Sequence, residues 1–101
     1  MSRETIAIAS DHAGYDLKTE LKDVLSELGY DVLDLGADSH ESVDYPDFGY
    51  AMAGAIKAGK VLRGVLICGS GIGISIAANR HLEVRAALIH DAYGARMCRL
   101  H

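Results

Sequence analysis

One stretch decides the fold: Val65-Leu66-Ile67-Cys68-Gly69-Ser70-Gly71-Ile72-Gly73-Ile74-Ser75. It begins with an apolar run, typical of a buried strand, that ends on the thiol of Cys68. Three glycines at alternating positions follow, and small residues from Ile74 to Asn79 then predict a helix. A strand that enters a helix through a glycine-rich turn gathers backbone N–H groups at the positive end of the helix dipole. The stretch therefore predicts a site for a phosphate or an oxyanion, with Cys68 at its edge, where a thiolate is favoured.

Two familiar phosphate-binding motifs do not describe this turn. No Gly-Lys-Ser/Thr sequence follows the glycines, so the turn is not a Walker A loop. The turn after the first predicted strand lacks the G-x-G-x-x-G pattern of a dinucleotide site. A bland interpretation also fits the stretch taken alone: an inert buried cysteine followed by a tight turn. The surrounding elements have to decide between these interpretations.

The rest of the chain alternates predicted strands with predicted helices. The predicted strands are Thr5–Ala9, Asp31–Leu35, Gly64–Cys68 and Arg85–Ile89. The predicted helices run from Tyr15 to Leu28, from Asp44-Tyr45-Pro46-Asp47 to just before Gly59, from Ile74 to Asn79, and from Ala92 to His101. This alternation predicts an α/β fold, a doubly wound parallel sheet in a Rossmann-like three-layer sandwich. With 101 residues, we expect a single domain over residues 1–101.

The first helix shows the clearest helical period. Its apolar residues recur at helical spacing and predict the face that packs on the sheet, whereas its charged residues are predicted on the other faces. The apolar set is Leu17, Leu21, Val24, Leu25 and Leu28, and the charged set is Lys18, Lys22, Asp23 and Glu27.

Three chemically active segments follow predicted strands. They are Asp11-His12, Cys68 to Gly73, and His90-Asp91. Because ligands of open parallel sheets bind at the carboxyl ends of the strands, we expect these segments to converge. Asp11 could instead cap the first helix beside an exposed His12. Tyr45 could either pack on its own helix or aim its hydroxyl at the site.

Composition and charge narrow the function classes. The chain has ten basic and fourteen acidic residues, a net charge of −4, and half of its residues are apolar. Without a basic run, and with only five tyrosines and one phenylalanine, nucleic acid is a poor expectation as a partner. No apolar stretch is long enough to span a membrane, and no signal peptide precedes the first strand. Two cysteines without metal spacing predict a reducing, cytoplasmic location and no metal site.

Three motifs give a resemblance to a known family. They are Ser10-Asp11-His12-Ala13-Gly14, then Asp44-Tyr45-Pro46, then Ile67-Cys68-Gly69-Ser70-Gly71-Ile72-Gly73-Ile74-Ser75-Ile76-Ala77-Ala78-Asn79. Together and in this order they resemble ribose-5-phosphate isomerase type B, a family that also includes the galactose-6-phosphate isomerase subunits. The resemblance covers nearly the whole chain, and its third motif is long and specific.

The resemblance implies an aldose–ketose isomerase that interconverts ribose 5-phosphate and ribulose 5-phosphate through an enediolate, without a metal or organic cofactor. It assigns Cys68 as the base that moves a proton between C2 and C1, and His101 as the acid that helps to open the sugar ring. The implied substrate-binding residues are Asp11, His12, Tyr45, Gly69, Ser70, Gly71, Ile72 and Gly73. In this assignment the glycine loop holds the enediolate oxygens through backbone N–H groups, and we give it more weight than a phosphate cradle.

The family continues past the residue that matches His101, with a further strand and a long helix whose arginines grip the phosphate. We therefore expect this chain to lack that C-terminal part, to be poorly active and to bind sugar phosphates weakly. The resemblance also implies a homodimer or a tetramer whose sites lie between subunits. Two alternatives stay open: a galactose-6-phosphate isomerase subunit, and a non-catalytic α/β module that binds a phosphate or a nucleotide.

Overall fold

The computed structural model describes residues 3–101 and builds an α/β fold. Its elements in chain order are β1 (Thr5–Ser10), α1 (Tyr15–Glu27), β2 (Asp31–Asp34), α2 (Tyr45–Lys57), β3 (Gly64–Ile67), α3 (Ile72–Asn79) and α4 (Ala92–Leu100). All four predicted helices and the first three predicted strands are confirmed, with their ends shifted by only a few residues. No helix between residues 3 and 101 is both long enough and apolar enough to cross a membrane.

The sheet is parallel, and β1 lies at its centre. The strand order is β2-β1-β3, with Ile6 of β1 opposite Val32 and Ile8 of β1 opposite Val65. The chain therefore moves from β1 to one side and then crosses to the other side. This reversal opens a crevice at the carboxyl ends of β1 and β3, where doubly wound sheets bind their ligands. The predicted doubly wound α/β class is confirmed.

Alternating residues of β1 pack against helices on the two faces of the sheet. On one face, Ala7 forms a buried cluster with Met52 and Ala55 of α2 and with Val61. On the other face, Ile6 and Leu25 of α1 line the same small cavity. Because successive side chains of a strand point to opposite faces, the two apolar sets of β1 need one helix each. The short α3 packs on α2 rather than directly under β1.

Helix α1 turns a different side toward the sheet than its sequence predicts. Lys18 is only 1% exposed, whereas Leu28 is 67% exposed, and Leu17 and Val24 are also exposed. The predicted orientation is wrong at these positions because the Lys18 ammonium reaches polar partners at the end of β2. It donates to Asp34 Oδ1 at 2.8 Å and to the carbonyl oxygen of Ala37. A buried lysine is stable in a helix only when its charge is paired in this way.

Residues 85–89 do not form the predicted fourth strand, so the described sheet has three strands. Ala86 packs against the buried cluster of Ala53, Ala78 and Val84. Its backbone, however, bonds to a side chain: Asn79 Nδ2 donates to the Ala86 oxygen at 2.8 Å, and the Ala86 N–H donates to Asn79 Oδ1 at 2.7 Å. A strand ladder would need these same groups, so the prediction of a fourth strand is wrong.

Helix α4 begins where the sequence predicts but buries none of its residues. Its predicted apolar side includes Tyr93 and Leu100, which are 67% and 71% exposed. The N-terminus of the helix is capped by Asp91, whose Oδ1 accepts from the Gly94 N–H at 2.7 Å. Local capping therefore defines this helix, and packing within the described chain contributes little to it.

Candidate active site

The loops after β1 and β3 touch each other at the crevice. The Asp11 N–H donates to the carbonyl oxygen of Ile67 at 3.1 Å. A Cβ placed on Gly14 would lie 2.9 Å from the same oxygen, so only glycine permits this approach. The sheet therefore brings together two of the three segments that the sequence singles out. These are the Asp11-His12 turn and the Cys68–Gly73 loop.

Cys68 comes directly after β3 and its sulfur already accepts a backbone hydrogen bond. The Gly71 N–H donates to Cys68 Sγ at 3.1 Å, and Gly71 has a φ of +79°, which favours glycine. This left-handed turn reverses the chain and begins α3 at Ile72, two residues earlier than predicted. The loop therefore folds back so that a main-chain donor faces the thiol.

The remaining N–H groups of the loop differ in their availability. The Ile72 N–H donates to Ser70 Oγ at 3.2 Å, so two donors, those of Gly71 and Ile72, are used inside the loop. Within residues 3–101, the N–H groups of Gly69, Ser70 and Gly73 have no hydrogen-bond acceptor. These three donors are therefore free to bind a ligand oxygen in this loop.

Asp11 and His12 have different local roles. The Asp11 carboxylate is buried and accepts from the Gly14 N–H at 3.0 Å, which closes the turn that leads into α1. His12 is partly exposed, and its Nδ1 accepts from the Val43 N–H at 3.1 Å. Asp11 therefore closes the turn before α1 but does not cap the helix, whose N-cap residue is Gly14 and has no side-chain cap. His12 is tied to a segment 31 residues away.

Tyr45 joins the site through its ring. It is the first residue of α2, and a Cβ placed on Gly73 would lie 2.7 Å from the ring carbon Cζ of Tyr45. A Cβ on Gly71 would similarly lie 2.6 Å from a methyl group of Leu88. The Tyr45 ring therefore contacts the backbone of Gly73, and the Leu88 side chain contacts the backbone of Gly71. Of the two roles that the sequence left open for Tyr45, the ring packs against the loop of the site and not only on its own helix.

A charged cluster lies behind the β1–α1 turn. Asp34 accepts from the buried Lys18 and from the more exposed Lys22, each at 2.8 Å, and from the Gly36 N–H at 2.9 Å. Partial burial opposes ionisation of this carboxyl. The hydrogen bonds from the two lysines and from Gly36 outweigh burial, so the pKa of Asp34 lies below its ordinary value. This cluster holds the end of β2 against α1.

His101 makes no polar contact with the crevice within residues 3–101. His101 follows α4, is exposed, and its side chain makes no hydrogen bond or ion pair with residues 3–100. His90-Asp91 follows a segment that is not a strand, and Leu88, two residues earlier, lies against Gly71 of the loop after β3. The expected convergence of His90-Asp91 with the other two segments stays a prediction. Asp91 is the cap of α4.

Two features of the site escaped the sequence analysis. The burial of Lys18 gives no signal in the helical period, which assigns it to the outer faces. The bond from Val43 to His12 joins residues whose proximity depends on the path of the long loop before α2. In the described part of the chain, no three or more His, Cys, Asp or Glu residues are grouped so that they could hold a metal ion.

The arrangement combines a thiol, a set of unpaired N–H donors and an imidazole at one edge of the sheet. A thiolate can remove a proton from carbon, and converging N–H groups can stabilise the negative oxygen that forms. The geometry around Cys68 therefore suits proton transfer next to a carbonyl group.

Comparison with known proteins agrees with this chemistry. Residues 6–101 match the family model described as Ribose/Galactose Isomerase. The chain is 44% identical to ribose-5-phosphate isomerase B of Escherichia coli over 96 residues, which cover 95% of this chain and 64% of that protein. It is 46% identical to D-erythrulose-4-phosphate isomerase of Pectobacterium atrosepticum, with coverage of 94% and 63%.

A solved structure gives the same result for the fold. Ribose-5-phosphate isomerase B of Clostridium thermocellum superposes with a TM-score of 0.91 at 54% identity, over 94% of this chain and 64% of that one. The chain therefore spans just under two thirds of the length of these relatives.

Proposed function

The chain belongs to the ribose/galactose isomerase family, and from that premise we propose that it is a sugar-phosphate isomerase that interconverts ribose 5-phosphate and ribulose 5-phosphate. One observation carries the proposal. Cys68 stands at the crevice between β1 and β3 with a main-chain donor on its sulfur and unpaired N–H groups beside it. A thiol in this setting is suited to carbon acid chemistry.

The proposed reaction moves two protons within the sugar, one from C2 to C1 and one from the C2 oxygen to the C1 oxygen. The Cys68 thiolate takes the proton from C2 of the open-chain aldose, and the C2–H electron pair forms the C1–C2 double bond of an enediolate. The carbonyl π electrons move onto the C1 oxygen, where the N–H groups of Gly69, Ser70 and Gly73 can stabilise the charge. The proton on the C2 oxygen then passes to the C1 oxygen, which leaves the negative charge on the C2 oxygen. A carbonyl forms at C2 as Cys68 returns its proton to C1, and the product is the ketose.

Ring opening needs a separate acid, and we assign it to His101. Because this residue stands on an exposed helix end, we propose that it acts in the crevice of a second copy in a homodimer. The geometry within one copy supports this arrangement, since Cys68 is held at the sheet while His101 lies outside the packed chain. We place the enzyme in the cytoplasm, where its two free cysteines stay reduced.

Substitution of Cys68 tests the proposal directly. In a form extended through the family's C-terminal part, Cys68→Ala should lower turnover of ribose 5-phosphate by at least about a thousandfold. The far-ultraviolet circular dichroism should be unchanged, because the variant loses only a small group at a strand end. Cys98→Ala is the matched control, since its thiol on α4 donates only to the Ala95 oxygen. A Cys68→Ala variant that keeps its rate within a few-fold would refute the role of the thiol. Turnover should also survive a chelator, because the assigned groups are all protein groups.

Mixing two inactive variants extends this test to the shared site. In a mixed dimer of Cys68→Ala and His101→Ala chains, one site carries both defects and the other carries neither. Refolding equal amounts together should restore about a quarter of the unmodified activity, since half of the dimers are mixed and each has one intact site. A mixture as inactive as its components would contradict the shared site without affecting the role of Cys68.

A second substrate is favoured by one relative. The similarity to D-erythrulose-4-phosphate isomerase is as strong as that to ribose-5-phosphate isomerase B. Turnover of ribose 5-phosphate, erythrulose 4-phosphate and galactose 6-phosphate should therefore be compared on the same preparation. The highest kcat/KM identifies the substrate. Tight binding of a phosphate compound without isomerisation of any of the three would favour a non-catalytic module.

A further inference from the structure

We propose that the main chain of Val43 keeps the proton of His12 on Nε2, and that a second proton on this ring detaches the 38–44 segment from the site. The structural half of this inference concerns only groups of this chain. Its consequence for a sugar phosphate rests on the proposed function.

The hydrogen bond between Val43 and His12 determines the tautomer. The Val43 N–H donates to His12 Nδ1 at 3.1 Å, in a partly buried position. An N–H can donate only to a ring nitrogen that has a free lone pair, so Nδ1 carries no proton. The neutral ring must then carry its hydrogen on Nε2. Within residues 3–101 nothing accepts from that group, so it is available as a donor to a ligand in the crevice.

Protonation of His12 is incompatible with this bond. An imidazolium carries a hydrogen on both nitrogens, so the Val43 N–H would face another N–H. The bond is then lost, and with it the hydrogen bond that joins the 38–44 segment to the β1–α1 turn. Tyr45 follows this segment directly, and its ring lies on Gly73. The 38–44 segment therefore links the two loops that form the crevice.

A second histidine, His40, also holds the 38–44 segment. Acid should strengthen its contact, whereas acid should break the contact of His12. His40 Nε2 lies 2.7 Å from Asp16 Oδ1, and the His40 ring packs edge-on against Tyr15. A carboxylate only accepts, so protonation of His40 strengthens this pair. The pair is exposed and therefore weak, with 66% of the His40 side chain and 85% of the Asp16 side chain accessible. Acid should consequently release Val43 while the His40 end of the segment stays against α1.

The other titratable groups around His12 do not replace the Val43 bond. They are Asp11 in the same turn, Tyr15 and Asp16 at the start of α1, Asp38, His40, Glu41 and Asp44 of the 38–44 segment, and Cys68 in the loop after β3. Asp11 Oδ1 accepts a hydrogen bond from the Gly14 N–H, and Asp16 Oδ1 contacts His40 Nε2. In the described chain none of these groups is hydrogen-bonded to the His12 ring. The ring is thus held by one main-chain donor.

A neutral His12 would respond to acid in the opposite way from a histidine that binds an anion through its positive charge. A positive imidazolium would attract a sugar phosphate, so binding would improve in acid. If His12 works as a neutral Nε2–H donor, acid instead removes its orientation and releases the segment beside it. In the proposed isomerase, protonation of His12 should then weaken the binding of a sugar phosphate rather than strengthen it.

Nuclear magnetic resonance of the full chain, with nitrogen-15 in the histidines and in the backbone, tests the structural half. At high pH the His12 spectrum should show a protonated Nε2 and an unprotonated Nδ1. On titration from about pH 8 to about pH 5, the Val43 amide signal should move with the same midpoint as the His12 ring. A neutral ring with its hydrogen on Nδ1, or a Val43 amide that does not follow His12, would overturn the proposal.

Two matched variants sharpen the titration. In His12→Asn, the side-chain oxygen can take the place of Nδ1 as acceptor but does not titrate, so the Val43 signal should stay constant over the same pH range. In His40→Asn the Val43 titration should be unchanged. Persistent movement of Val43 in His12→Asn would refute the coupling, and the unmodified chain decides the question alone if this variant does not fold.

Binding and turnover separate this inference from the proposed function. Tighter binding of ribose 5-phosphate to the Cys68→Ala variant as His12 is protonated would overturn the ligand half of the inference. Binding to this variant is the readout because protonation of the Cys68 thiolate lowers kcat/KM in the unmodified enzyme whatever His12 does. No turnover of any sugar phosphate at any pH would count against the proposed function, and the tautomer and the Val43 titration would still be decided by the spectra.

Discussion

The crevice between β1 and β3 and the helix that ends the described chain differ sharply in how they are held. At the crevice, Gly14 touches the backbone of Ile67, and the adjoining residues of β1 are completely buried. Helix α4 buries no residue, and His101 follows its exposed end. One copy of the chain therefore positions Cys68, the proposed base, but leaves His101, the proposed acid, exposed.

Among the polar residues and glycines beside the crevice, Lys18 should have the largest effect on the free energy of unfolding. Lys18→Met should lower the free energy of unfolding by about 3 kcal/mol, because it removes the donor of the buried Ala37 carbonyl and one partner of Asp34. Lys22→Met removes the other lysine from the same carboxylate, but its side chain is 41% exposed, so the loss should stay below about 1 kcal/mol. Urea unfolding of both variants measures the two losses in unfolding free energy. Equal losses would show that burial of Lys18 does not hold this region.

A smaller effect is expected where the two loops of the crevice touch. Gly14→Ala should cost about 2 kcal/mol, because the new methyl group meets the Ile67 carbonyl and the loops must separate. Gly54→Ala is the matched control: a Cβ there meets nothing within 4 Å, and alanine is a better helix former. That variant should gain about 0.5 kcal/mol in unfolding experiments. If Gly14→Ala left the free energy of unfolding unchanged, the two loops of the crevice would be packed less closely than the structure shows.

The smallest effect is expected in α4. Leu100→Ala should change the unfolding free energy by less than about 0.5 kcal/mol at concentrations where the chain is monomeric, because the side chain is exposed. Ile74→Ala on α3, where the side chain is 1% exposed, should cost about 3 kcal/mol under the same conditions. If the loss of unfolding free energy in Leu100→Ala grew with protein concentration, a second copy of the chain would cover α4. The contrast between the crevice and α4 would then hold only for a single copy.

Much of the fold could be predicted because its signals are local. The apolar run before Cys68, the glycines after it and the proline at the start of α2 each act on their own few residues. The strand that was predicted at residues 85–89 failed for the opposite reason. An apolar run indicates only that a segment can form a strand, and here the Asn79 side chain takes the backbone groups that pairing would need.

The candidate site divides in the same way. Asp11, His12, Cys68 and Gly71 could be placed together from the sequence, because the carboxyl ends of neighbouring parallel strands meet at one edge of a sheet. Val43 could not be placed, since a backbone donor leaves no mark on residue type and its partner lies 31 residues away. His101 was assigned by resemblance, and within residues 3–101 no packing brings it to the crevice.

By itself, the sequence determined the alternation of strands and helices, the turn that places Cys68 before a helix, and the family. These features follow from side-chain period and glycine content, which depend on neighbours in the chain. Only the tertiary structure decided that Lys18 is buried, that Val43 holds His12, and that α4 buries none of its residues. Each of these depends on which distant groups reach one another, because burial of a charge and the choice of a tautomer are set by partners in space.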